Sequence, residues 1–311
     1  MKGLEIAEKY YAEYGLNMLK TEFPDLLSFL CVGLVGSGSE CYGFDDEIST
    51  DHDFEPGFCI FIPGEDIIDR PTAFKLERAY AKLPKEFSGL RRSIINPVGG
   101  SRHGVIRISD FYSSKIGKNY NDFSAEDWLF VPEYSLFEAV NGKVFSDNYG
   151  EFSKIRERFS KYPPDIRLKK LAGHLLLMAQ SGQYNFDRCL SHGETAAAQL
   201  SVFDFVKSGM NAVFLINGSY MPYYKWSFKA MRNLKKLSEI SESFEFLITT
   251  DNENAELKKQ IIEDIAGLIT RSLASEGILK SEDTNLEKAA YEVNSAISDP
   301  NIRNLNILYG V

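Results

Sequence analysis

The chain has no run near the ~20 apolar residues that a membrane-crossing helix needs, so no membrane partner is expected. Its opening, Met1-Lys2-Gly3-Leu4-Glu5, leads directly into an amphipathic pattern without an apolar signal core, so a cytoplasmic protein is expected. Cysteine is scarce. Cys31, Cys41, Cys59 and Cys189 show no metal-binding spacing and are expected as buried or loop thiols of a reducing compartment. Basic residues are outnumbered, 35 Lys and Arg against 44 Asp and Glu, for a net charge of −9. A long nucleic acid needs a basic stripe to neutralise its phosphates, so the balance argues against a long nucleic-acid acceptor and favours a small-molecule or protein one, while a nucleotide held through a local cation stays open. Internal repeats and low-complexity segments are also missing. With 44% hydrophobic and 13% aromatic residues over 311 positions, the chain can build a sizeable core and is long enough for two domains.

What the chain does have is Val35-Gly36-Ser37-Gly38-Ser39, followed about a dozen residues later by Thr50-Asp51-His52-Asp53-Phe54. Gly36 and Gly38 let backbone N–H groups turn toward an anion, and Ser37 and Ser39 add hydroxyl donors. Residues at i and i+2 of a strand share a face, roughly 7 Å apart along it, so Asp51 and Asp53 can grip one or two hard cations. Taken singly, a Gly-Ser run reads as a flexible loop and an Asp-x-Asp as a solvated turn. Their joint occurrence after the strand-like Phe29-Leu30-Cys31-Val32-Gly33-Leu34-Val35 points instead to nucleoside triphosphate chemistry.

These residues resemble the signature of the nucleotidyltransferase superfamily, of the DNA polymerase beta and kanamycin nucleotidyltransferase type. The wording from Gly36 to Glu47, running into Ser49-Thr50-Asp51-His52-Asp53, is similar to an uncharacterised bacterial branch with a C-terminal helical domain of unknown function. Phe214-Leu215-Ile216-Asn217-Gly218-Ser219-Tyr220-Met221-Pro222-Tyr223-Tyr224-Lys225-Trp226 and Ile297-Ser298-Asp299-Pro300-Asn301-Ile302-Arg303 also fit that branch. The resemblance implies Mg²⁺- or Mn²⁺-dependent transfer of a nucleoside monophosphate from ATP, or another nucleoside triphosphate, to a small-molecule hydroxyl. Nucleotidylation of a protein side chain is an alternative, as is a degenerate nucleotide sensor or scaffold. Asp51 and Asp53 are then the metal ligands, and Ser37 and Ser39 contact the β- or γ-phosphate.

The expected fold is α+β: a small mixed sheet with helices over 1–150, then an all-helical domain over 151–311 that completes the cleft. A helix is expected over 4–22, with Leu4, Ala7, Tyr11, Tyr14 and Met18 on one face, and another over 71–82 with Pro71 in its first turn. The strand carrying Asp53 is expected to continue through Gly57 to Ile62, and a further strand covers 103–108. Helical patterns fill 166–181 and 255–273. The superfamily's third carboxylate should lie on the later strand, which instead shows His103, Gly104 and Arg107. Glu55 and Asp110 are the substitutes. His52 is expected to pack beneath the site, and Asp45-Asp46-Glu47 to form an acidic surface turn. Tyr223 and Lys225 are candidates to stack on a base and to meet the leaving pyrophosphate, or else belong to a helical core and its surface. Arg188 and Lys169 are weaker phosphate candidates, expected to be solvated.

Overall fold

The computed structural model describes residues 1–47, 55–92 and 102–311. The fold is α+β, with a small mixed sheet and many helices. The chain forms two compact units, one of Met1–Phe123 with Tyr134–Ser160, the other of Ser124–Glu133 with Lys161–Val311. No helix of the described residues is long and apolar enough to cross a membrane.

The first unit is built on β1 (Cys31–Leu34), β2 (Cys59–Ile62), β3 (Glu86–Phe87), β4 (Leu90–Arg91), β5 (Gly104–Arg107) and β6 (Lys143–Asp147). β3 and β4 make a separate hairpin, and the other four form one sheet in the order β5-β2-β1-β6. β1 is antiparallel to both neighbours and β2 is parallel to β5. Cys-Val-Gly-Leu and Cys-Ile-Phe-Ile read as unbroken apolar runs because every residue of β1 and β2 is buried, on both faces.

One layer is the helical stretch 3–22, which buries Ile6, Ala7, Tyr10, Tyr11, Met18 and Leu19. This is not quite the face that regular spacing gives. A π turn at Tyr11–Gly15 interrupts the regular spacing, and Leu4 and Tyr14 are only partly buried. Tyr10, Tyr11 and Tyr80 pack around the Phe58 ring at 5.1–5.9 Å between centroids. The helix Arg70–Ala81 begins where the chain dictates: Asp69 accepts the Thr72 N–H at 2.8 Å, and Pro71 sits in the first turn.

The strand expected to run from Asp53 to Ile62 is shorter in its described part, since β2 starts at Cys59 and residues 55–58 lie in no strand. Pro56 has no N–H for a ladder, and the Phe58 N–H donates to the Tyr80 hydroxyl at 3.1 Å instead.

The second unit is helical. Its helices Pro164–Met178, Thr195–Ile216, Ile240–Thr249, Ala255–Ser275 and Leu286–Ser295 enclose a core that contains three buried lysines, Lys169, Lys170 and Lys258. Each lysine stays buried because oxygen atoms surround its ammonium group. Lys258 alone reaches Gln199 Oε1, Asn252 Oδ1 and the carbonyls of Leu247 and Thr250 at 2.8–3.1 Å.

Candidate active site

β1 leads into Gly36-Ser37-Gly38, and the chain then turns into the short helix Ser39–Tyr42. Gly36 and Gly38 have φ of +103° and +114°, which side-chain-bearing residues rarely adopt. A Cβ on Gly38 would also collide with the Arg102 guanidinium. The loop is held from behind. The Gly36 N–H donates to Asn141 Oδ1 and Asn141 Nδ2 donates to the Gly36 carbonyl, both at 2.8 Å. Asn141 is placed by Arg156, which donates to the carbonyls of Val140, Asn141 and Gly142 at 2.8–3.1 Å. Ser37 and Ser39 are half-buried, and neither hydroxyl has a hydrogen-bond partner among the described residues. The loop thus has a fixed backbone and two hydroxyl donors that no described residue engages.

Two cations flank it. Arg102 Nη1 lies 3.4 Å from the Ser37 carbonyl and 3.2 Å from Glu40 Oε1, the buried acid that follows Ser39. Lys115, in the last turn of the helix Ile108–Ile116, brings its Nζ to 3.8 Å from where a Cβ on Gly36 would stand. It pairs with Glu138 Oε2 at 2.7 Å, while Tyr42 donates its hydroxyl to Glu138 Oε1 at 2.7 Å. Burial, then the Glu138 charge, raise the Tyr42 pKa, so the phenol remains a donor. Beside Arg102, burial pushes the His103 imidazole down to about 3, helped by the charges of Arg102 and Arg92, so it is neutral at physiological pH.

Asp51, His52 and Asp53 lie outside the described residues. The chain that leaves them is anchored at this same end of the sheet. Arg92, set over the Tyr10 and Tyr80 rings, donates to the Pro56 carbonyl at 3.3 Å, and the Gly104 N–H donates to the Phe58 carbonyl at 3.0 Å. Register explains why this end matters: Gly33 and Gly104 both sit opposite Cys59, so the loop after β1 and the start of β5 meet there. Glu55, three residues before Phe58, enters at that end. Asp110 does not. Arg107 pairs with Ile62 at the other end of the sheet, and Asp110 follows it, roughly 7.5 Å along the helix axis from Lys115. There it lines an open groove of about 560 Å³ with Glu65, Arg70, Glu77 and Arg107. The structure therefore brings Gly36, Ser37, Gly38 and Ser39 together with Arg102 and Lys115 and sets Asp110 apart.

The second unit holds Tyr223 and Lys225. Tyr223 and Tyr224 are exposed, with ring centroids 4.4 Å apart, so neither belongs to a helical core. Lys225 is the second residue of the helix Tyr224–Met231 and sets its Nζ 5.1 Å from the Trp226 ring centroid. Arg188 is exposed, as expected. Lys169 is not: it is fully buried, with its Nζ 2.6 Å from the Leu305 carbonyl and 2.9 Å from Asn294 Oδ1, so it is unsuited to meet a phosphate. Asp45 is also not part of a surface turn. It is buried, accepts the Gly3 N–H at 2.9 Å and pairs with Lys2, tying the first helix to the segment behind the loop.

A divalent cation is implied by the sequence resemblance. Among the described residues no three His, Cys, Asp or Glu side chains gather where they could hold a metal ion. Its holders would be Asp51 and Asp53, whose carboxylate oxygens are the donors that a hard cation takes.

Comparison with known proteins adds little chemistry. A family profile described as "Domain of unknown function (DUF4037)" matches residues 128–227. No curated protein matches the chain. A solved structure described as a nucleotidyltransferase-like protein, from Exiguobacterium sibiricum 255-15, is similar at 10% identity over 91% of this chain and 80% of that one, with a TM-score of 0.37. At that level of likeness the chemistry rests on the residues of this chain.

Proposed function

We propose that the protein transfers a nucleoside monophosphate from a nucleoside triphosphate, ATP by default, to a hydroxyl of a small-molecule acceptor in the cytoplasm. One observation carries this: the Gly36–Ser39 loop, with its left-handed glycines, serine hydroxyls that no described residue engages and two flanking cations, in a chain of net charge −9. Backbone N–H groups and the Ser37 and Ser39 hydroxyls would take the non-bridging oxygens of the β- or γ-phosphate. Asp51 and Asp53 would hold Mg²⁺ or Mn²⁺, which neutralises phosphate charge when bound. The acceptor oxygen attacks the α-phosphorus, its proton passes to a carboxylate, and the bond to pyrophosphate breaks with the electron pair leaving on pyrophosphate. Glu55 is our candidate for that proton, because the chain before β2 enters the sheet at the loop's end.

A nucleotide sensor without turnover is the alternative from another class, favoured by the absence of any carboxylate on β5. Nucleotidylation of a protein side chain shares the donor site and differs only in acceptor. The test is pyrophosphate release from Mg-ATP with a panel of hydroxyl acceptors. Release that depends on an acceptor supports the transferase. Tight Mg-ATP binding without release from any of them favours the sensor.

A further inference from the structure

The two cations beside the loop each come with an acid. Arg102 lies against Glu40, and Lys115 against Glu138, and all four side chains are at most 17% exposed. Among the described residues the charges of these two pairs therefore cancel beside the loop, although they include an arginine and a lysine. Lys115 is the more telling of the two. Its ammonium group is placed next to the Gly36 backbone, yet its counter-charge is fixed on the far side by a second bond, from the Tyr42 hydroxyl to the other oxygen of Glu138. Tyr42 is in turn stacked on Phe137 at 4.9 Å between centroids. Glu138 is thus held by two bonds, one to Lys115 and one to Tyr42, while the Lys115 ammonium stays beside the Gly36 backbone.

We propose, resting on the nucleotide reading above, that Lys115 binds the triphosphate at the Gly36–Ser39 loop and that Glu138 holds its charge in check. A bare polyphosphate then meets a cradle with little net positive charge, plus the carboxylate of Glu138 itself. A metal-bound triphosphate carries less charge and shares the Lys115 ammonium with Glu138 at smaller cost. Glu138 thereby makes the loop selective for the metal complex. It is a positioning residue, acting through Lys115.

The two roles predict effects of opposite sign. Glu138→Gln keeps the side-chain shape and an oxygen for the Tyr42 hydroxyl while removing the charge. In chelator it should bind inorganic triphosphate and ATP roughly tenfold more tightly than wild type, about one charge-assisted hydrogen bond. Lys115→Met should lose roughly tenfold or more for Mg-ATP, and Lys115→Arg should retain most of the affinity. Isothermal titration with and without Mg²⁺, alongside melting temperatures, reads all three. A Glu138→Gln protein that binds no more tightly than wild type in chelator overturns the proposal, as does Lys115→Met binding Mg-ATP like wild type. Should Lys115→Met fail to fold, Glu138→Gln decides alone, since damage does not produce a gain. If wild type binds no Mg-ATP, the functional reading falls and this inference with it; if wild type binds and the variants do not differ from it, only the inference falls.

Discussion

At the scale of single residues, the serine hydroxyls are the simplest test. Ser37→Ala and Ser39→Ala should each weaken ATP binding by roughly 1.5–3 kcal/mol, the worth of a hydrogen bond to a charged group. Neither should change stability, because no described residue relies on those hydroxyls. Glu55→Gln should cut pyrophosphate release while Asp110→Asn leaves it unchanged, since only Glu55 enters at the loop's end of the sheet. Equal losses in both variants would contradict that placement. His174 gives a prediction about pH. It is buried with both ring nitrogens unpartnered, and burial, opposed by Glu133 and assisted by Lys170 and Lys207, pushes it from 6.5 to about 4. The unfolded chain therefore takes up this proton first. Stability is full above pH 6.5 and falls as pH drops toward about 4, by something on the order of 3 kcal/mol. His174→Leu should flatten the fall in melting temperature over that window. A variant with the wild-type acid slope would show that other groups set it. Loop and serine residues were legible in the sequence because glycine and hydroxyl chemistry is local. The burial of Lys169 was not, because its oxygen partners stand 125–136 residues away.

At the scale of elements, the loop depends on the turn between the helix Glu133–Val140 and β6. Gly142 has φ of +67°, and a Cβ there would collide with the Leu34 carbonyl, so Gly142→Ala should destabilise by about 1–3 kcal/mol or more. Asn141→Ala removes both bonds to the Gly36 backbone. It should cost about 1–3 kcal/mol of stability and also lower ATP affinity, because the loop is no longer held. Denaturant titration beside calorimetric binding would separate the two effects; unchanged affinity would mean that the loop keeps its shape without Asn141. β1, β2 and β5 were readable from apolar runs, and the helix Arg70–Ala81 from Asp69 and Pro71. The hairpin β3–β4 and the edge strand β6 were passed over. β6, Lys-Val-Phe-Ser-Asp, lies on the sheet edge and is only partly buried, so its hydrophobic signal is short, although Asn141-Gly142 before it is a turn signature. The π turns leave no trace in composition and interrupt the regular spacing.

At the scale of the whole molecule, an acidic chain concentrates two of its cations at one small-residue loop and pairs each with an acid that is at most 15% exposed. Function on this view lies in a local arrangement that net charge conceals. The phosphate loop and its Asp-x-Asp partner were visible as words in the sequence, while Arg102, Lys115, Glu138 and Asn141 became neighbours of the loop only through the sheet and the helix that follows it. The central claim is that the loop binds nucleoside triphosphate through a cation held by Asp51 and Asp53. The most direct measurement is calorimetric titration of ATP, with Mg²⁺ and with chelator, into wild type, Asp51→Asn and Asp53→Asn of matched melting temperature. The account predicts binding by wild type with Mg²⁺, strong weakening in chelator, and loss of the Mg²⁺-dependent binding in both variants. Equal binding in chelator, or variants that bind Mg-ATP as wild type does, would contradict it.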